Sequence, residues 1–224
     1  GNELNMNLKI LSLVIIGVCI LLPDVCYAFL SKDVHLLNMQ NGLADNTVSA
    51  VYKDKEGFIW FGTRNGLSRY DGRRITNFER SRSYPSISNL KEVFDGVLAF
   101  VDNGVFSAFD LKKERFLSVV SSSGQGIPSR GMLQRNDSLV WVISGSELHL
   151  MKRCASKEGE LRLRVQEKYT GWNNQDNLLV AITYSSDKKS ICLIDEKGRI
   201  ILLDATNLNS FRVIDLGRTG SLSV

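Results

Sequence analysis

Histidine is scarce in this 224-residue chain: there are two, His35 and His149, alongside four cysteines. Cys19 and Cys26 fall in an N-terminal apolar stretch, which leaves Cys154 and Cys192 in the body of the chain. No set of these residues has zinc-ligand spacing. Asp102-Asn103-Gly104 is the nearest approach to a calcium loop, and a hairpin turn accounts for it fully. Neither a metal nor another cofactor is expected. The chain also lacks a G-x-S-x-G elbow, a neighbouring Cys/His pair and a G-x-x-x-x-G-K phosphate loop, which removes common hydrolase and nucleotide-binding signatures. His149 lies in the alternating run Glu147-Leu148-His149-Leu150, not in the helix of a phospho-accepting histidine, so no kinase core is read here. Positive charge is thin: the net is +4, concentrated only at Arg73-Arg74 and Arg80-Ser81-Arg82. A nucleic-acid surface needs a coherent basic stripe, so a nucleic-acid partner is excluded. Past Leu22 no apolar run approaches the roughly 20 residues of a membrane span. Membrane contact is expected only through the leader or a helix outside this sequence.

What is present begins with that leader. Met6 and Lys9 precede a near-continuous apolar run over residues 10–22, Pro23 ends it, and Cys26-Tyr27-Ala28 follows. This is the layout of a secretory signal peptide with cleavage after Ala28, which exports the mature chain from the cytoplasm. A retained membrane anchor is the rival reading. Residues 1–5 read as a tag or an extended reading frame. In an oxidising compartment Cys154 and Cys192 are able to pair, but Cys192 sits in the apolar run Ile191-Cys192-Leu193-Ile194, and two separate thiols are expected.

The body of the chain is organised around residues 42–78. Lys55-Glu56-Gly57, Asn65-Gly66 and Asp71-Gly72 cut this stretch into four short runs. Asn-Gly and Asp-Gly tolerate positive φ and close tight antiparallel hairpins. The second run, Phe58-Ile59-Trp60-Phe61, is apolar on both faces. A strand sandwiched between two other sheets reads that way, whereas a half-buried strand alternates. Two-sided burial of that strand, within a meander of four strands and tight turns, points to a β-propeller blade.

The stretch resembles the two-component-regulator propeller repeat of extracytoplasmic sensors in bacterial hybrid two-component systems, especially those of the Bacteroides type. The residues that carry the resemblance are Gly42-Leu43, Asn46, Val48, Asp54, the run Gly57-Phe58-Ile59-Trp60-Phe61-Gly62-Thr63, Gly66-Leu67 and Tyr70-Asp71-Gly72. The match is strong over the first repeat and decays beyond it. The resemblance implies a ligand-sensing module, most often for polysaccharide breakdown products. It also implies a parent protein with further blades, a small β-sandwich, a membrane helix and kinase and receiver domains. This chain reads as its N-terminal part.

Weaker copies follow. Asn65-Gly66 recurs as Asn103-Gly104, Tyr70-Asp71 recurs as Phe109-Asp110, and Trp141 takes the place of Trp60. A repeat of this size with four strands per unit fits a propeller. The fold class is therefore all-β: a propeller of about four blades, near residues 46–79, 87–120, 131–169 and 178–217. Residues 29–39 are expected to add a single strand, and residues 217–224 the start of a fifth unit. The resemblance implies part of a seven-bladed ring, closed by additional blades or by self-association.

The candidate ligand-binding residues are Trp172, Asn173 and Asn174, an aromatic beside amides in a polar loop, the chemistry that recognises an oligosaccharide. Arg64 and Arg69 are weaker candidates. Asp54, Asp71, Asp110 and Asp204 recur near strand ends. A propeller glycosidase gathers such acids in one place, but at turns they accept local backbone hydrogen bonds. No catalytic residue is assigned. The expected function is a non-catalytic, extracytoplasmic sensing module for oligosaccharides. A propeller scaffold or gene fragment without a ligand is the alternative, and a glycan-active propeller enzyme is a third.

Overall fold

The computed structural model describes residues 36–79, 86–172 and 177–215. The leader, His35 and most of the expected strand at 29–39 lie outside the described residues. So do Arg80 to Arg82, Asn173, Asn174 and residues 217–224. Residues 36–38 are irregular, and Met39–Asn41 is one turn of 3-10 helix rather than the end of a strand. Asn38 caps that turn, accepting from the Gln40 and Asn41 amides, which is why the chain bends here instead of extending.

From Asn38 onward the described chain is all-β. Its first antiparallel blade contains β1 (Val48–Lys53), β2 (Ile59–Thr63), β3 (Gly66–Tyr70) and β4 (Ile75–Phe78). Blade two contains β5 (Ile87–Phe94), β6 (Val97–Asp102), β7 (Val105–Asp110) and β8 (Arg115–Ser121). Blade three contains β9 (Gly131–Asn136), β10 (Leu139–Ser144), β11 (Glu147–Cys154) and β12 (Glu160–Tyr169). Blade four contains β13 (Leu179–Tyr184), β14 (Ser190–Asp195), β15 (Ile200–Asp204) and β16 (Phe211–Ile214). The turn signals explain the cuts. Gly66 takes φ +117°, and a Cβ there would lie 2.5 Å from the Phe78 carbonyl oxygen, so the hairpin needs glycine.

The cores lie between blades, not within them. Trp60, Leu67, Leu98, Phe100 and Phe109 bury the first blade against the second. Gly62 lets that contact close, because a Cβ there would sit 2.5 Å from Ile87 Cγ2. Phe106, Met132, Val142, Met151 and Leu163 fill the second junction. Trp141, Leu150, Leu193, Ile201 and Leu203 fill the third. Trp60 is buried on the blade-two side, while Ile59 and Phe61 on its other face are only half-buried. Two-sided burial of that strand is thus incomplete among the described residues.

The alternating sequence of residues 161–167 suits an exposed outer strand, but β12 is bonded along both of its edges. β12 pairs in parallel with β8, from Glu160↔Ser118 to Leu163↔Ser121, while also pairing with β11. Blades two and three thereby form one eight-stranded sheet. The alternation of Leu161 and Leu163 marks burial between two blades, and both side chains are inaccessible. The Ser118 amide adds a bond to the Gly159 carbonyl at 2.9 Å at this joint, while the segment 122–130 is held to blade two, the Phe106 amide donating to the Ile127 carbonyl and the Ser129 amide to the Gly104 carbonyl, each at 2.8 Å. Cys154 and Cys192 are both free.

Candidate binding clefts between the blades

The turn between β1 and β2 is closed by one carboxylate. Asp54 Oδ1 accepts from the Glu56 and Phe58 amides at 3.0 and 2.9 Å, and Oδ2 accepts from Trp60 Nε1 at 2.8 Å. The indole is thereby fixed, stacked on Phe78 at 5.6 Å and tilted against Phe109 of the next blade at 5.5 Å. Above this aromatic cluster lies Arg69, with its guanidinium carbon 4.9 Å from the Phe58 ring centre and 5.6 Å from that of Trp60. Cation–π contact of this kind holds a guanidinium flat on its support.

Arg69 faces a cleft of about 440 Å³ between blades one and two. The cations around it are engaged by acids of blade two. Arg69 Nη1 lies 2.5 Å from Glu114 Oε1, Lys55 Nζ lies 3.0 Å from Glu92 and 2.8 Å from Asp95, and Lys112 reaches Asp95 at 3.5 Å. Hydrogen bonds to Asp95, then to Glu92, push the Lys55 ammonium above its ordinary value. The bond from Lys55 holds the Asp95 carboxyl below its own. Chemically this cleft is a clasp between two blades.

The same position recurs between blades three and four with different chemistry. Trp60 pairs with Arg69 and Trp141 with Leu150; Leu67 pairs with Phe78 and Leu148 with Tyr169. The groove there measures about 290 Å³ and has Leu139, Leu150 and Leu208 in its lining. Exposed Arg135, Gln166, Glu167, Asn207 and Asn209 form its rim. Tyr169 packs edge-on to Trp141 at 5.9 Å and donates its hydroxyl to Glu167 Oε2. Burial, then that bond to Glu167, pushes the phenol up to about 12, so it stays protonated as a donor. Arg135 lies 5.1 Å over the Trp141 ring. The turn that carries Asn207 and Asn209 is built on Asp204, whose Oδ1 accepts from the Thr206 and Asn207 amides at 2.7 and 3.1 Å. Trp141 Nε1 is buried without a hydrogen-bond partner. Asn136, at the corresponding turn, has a single oxygen, which accepts from the Ser138 and Leu139 amides.

Of the residues singled out from sequence, Trp172 is 6% exposed and packs with Leu179 and Leu208, edge-on to Phe211 at 6.2 Å. Its Nε1 is also buried without a partner. Arg64 is exposed at a turn, whereas Arg69 is the centre of the first cleft. The repeated acids sit at separate turns: Asp71 accepts from the Arg73 and Arg74 amides at 2.7 Å each, and Asp110 from Lys112 and Lys113 at 3.0 Å each. Among the described residues no three His, Cys, Asp or Glu side chains are grouped to hold a metal. Sequence reasoning missed Tyr169, Asn207 and Asn209. The turn signal at Asp204 was visible, but its approach to Tyr169 exists only once blades three and four are stacked.

The blades are those of a β-propeller, and comparison with solved structures bears this out. The chain is similar to the extracellular domain described for the hybrid two component system BT3049 of B. thetaiotaomicron, with 17% identity and TM-score 0.61 over 82% of this chain and 24% of that one. It is similar to the extracellular domain described for the one component system BT4673 of the same organism, with 15% identity and TM-score 0.61 over 82% and 27%. The β-propeller domain of Cps50 (Swd1) from Myceliophteria thermophila gives 15% identity and TM-score 0.51 over 75% and 56%. The chain spans about a quarter of the length of the two extracellular domains. Residues 42–65 match the family model described as two component regulator propeller, so the first blade carries a repeat of that family. No curated protein matches the chain.

Proposed function

We propose that this chain is a ligand-sensing propeller module of a hybrid two-component signalling protein. It works outside the cytoplasm, in the periplasm, is not catalytic itself, and takes oligosaccharides as ligands. The observation that carries the reading is the two-component-regulator repeat at residues 42–65. The two extracellular domains of similar fold support it. Inter-blade clefts with apolar walls and polar rims suit a small polar ligand. The acids that a glycan-cleaving propeller would bring together are instead occupied at separate turns. Trp172 is buried, and Asn173 and Asn174, which follow it in the sequence, stay in the proposal as ligand-binding residues. The outward faces of blades one and four, which present Val51 at 60% and Ile194 at 36% exposure, are where further blades of the parent protein pack.

The test is a thermal-shift screen of the whole chain against oligosaccharides released from plant and host polysaccharides, with the sugars re-analysed by chromatography afterwards. One glycan class should raise the melting temperature and be recovered intact. Cleavage of the glycan would make the protein an enzyme. Absence of a shift with every glycan would remove the oligosaccharide assignment.

A further inference from the structure

The two inter-blade clefts occupy equivalent positions but differ in who holds their polar groups. In the first, Arg69, Lys55 and Lys112 are matched by Glu114, Glu92 and Asp95. In the groove between blades three and four, Arg69 is replaced by Leu150 at the same register position. Arg135 makes no ion pair among the described residues, and the rest of the rim is largely neutral amide. Glu167 is turned toward the groove by the Tyr169 hydroxyl and receives a long 3.5 Å contact from Gln166. The Asn207 oxygen is engaged by the Asn209 amide at 3.3 Å, which leaves its NH₂ group for a ligand.

We propose that this groove is a subsite for one neutral pyranose ring, resting on the reading of the chain as an oligosaccharide sensor. A pyranose has an apolar face and a belt of vicinal hydroxyls. The leucine-lined wall with Tyr169 meets the first, and planar groups that offer paired donors and acceptors, Glu167, Asn207, Asn209 and Arg135, meet the second. One guanidinium beside a carboxylate does not favour an anion, which sets aside sulfated or uronic units. At about 290 Å³ the groove lies near the lower end of ligand pockets, room for one ring rather than a long chain.

The experiment is calorimetric titration of the whole chain with neutral tetrasaccharides of glucose, xylose, mannose and galactose, with tetragalacturonate as the anionic comparator. One neutral tetrasaccharide should bind. Asn207→Ala and Gln166→Ala should each weaken it about tenfold or more, with unchanged melting temperatures because both side chains are exposed. Tyr169→Phe keeps the ring and should weaken binding too, while Lys197→Ala, on another turn, should not. Binding retained by all three groove variants overturns the groove and leaves the sensor reading standing. Binding of tetragalacturonate alone overturns the neutral-sugar assignment. If nothing binds, the oligosaccharide reading falls and the groove with it.

Discussion

Trp60 is held by three different kinds of contact at once: an indole hydrogen bond to Asp54, a stack on Phe78 and an inter-blade contact with Phe109. Truncating it leaves a large cavity at the first blade junction, so Trp60→Ala should cost about 3–5 kcal/mol in urea unfolding. An unchanged midpoint would mean that the junction does not depend on it. Asp54→Asn is a finer probe. The amide retains one oxygen for the turn but offers no second acceptor to the indole, and the expected loss is about 1–3 kcal/mol. Blade three already lives with that arrangement, since Asn136 leaves the Trp141 N–H unpartnered. Both tryptophans were legible in the sequence as core residues of equivalent strands. Their different partners were not, because the pairing depends on a turn carboxylate in three dimensions.

At the scale of strands and turns, the joint between β8 and β12 links two blades into one sheet. Leu163 is inaccessible at that joint and Val213, on β16, is 39% exposed. Leu163→Ala should therefore cost about 2–5 kcal/mol, while Val213→Ala should stay within about 0.5–1 kcal/mol; equal costs would show that the parallel pairing does not contribute to stability. Turns make a pH-dependent contribution. The Thr206 hydroxyl, then the Thr206 and Asn207 amides, hold the Asp204 carboxyl below its ordinary value. A depressed folded-state pKa stabilises above the unfolded value, near pH 4, and that contribution is lost as pH falls through the folded value. Unfolding midpoints measured at pH 7 and pH 3 should differ less for Asp204→Asn than for the parent chain. An identical difference would remove Asp204 from the acid sensitivity. The hairpins themselves could be read from Asn65-Gly66, Asp71-Gly72 and Asn103-Gly104, whose backbone requirements are local. The β8–β12 pairing could not, because alternation in Leu161 and Leu163 looks the same whether the covering surface is one sheet or two.

Across the blades as a set, the cores lie at the junctions, so the outward faces of blades one and four keep apolar side chains in solvent. Val51 on blade one and Ile194 on blade four should bind an apolar dye such as ANS, and Val51→Lys with Ile194→Lys should reduce that fluorescence several-fold, since patches of this kind mark unmet contacts. Dye binding unaffected by the pair would show that these faces are not the exposed surface. The propeller class was legible in the sequence because a repeat announces itself through its turns. The grooves were not, since each is assembled from two blades whose residues lie about 40 apart, as Tyr169 and Asn209 do. If sensing happens at an inter-blade groove, hydrogen–deuterium exchange with and without the bound oligosaccharide should locate it there. Slowed exchange is predicted in peptides that contain Arg135, Gln166 to Tyr169, and Asn207 to Asn209. Protection confined to other blades, or none despite measured binding, would contradict it.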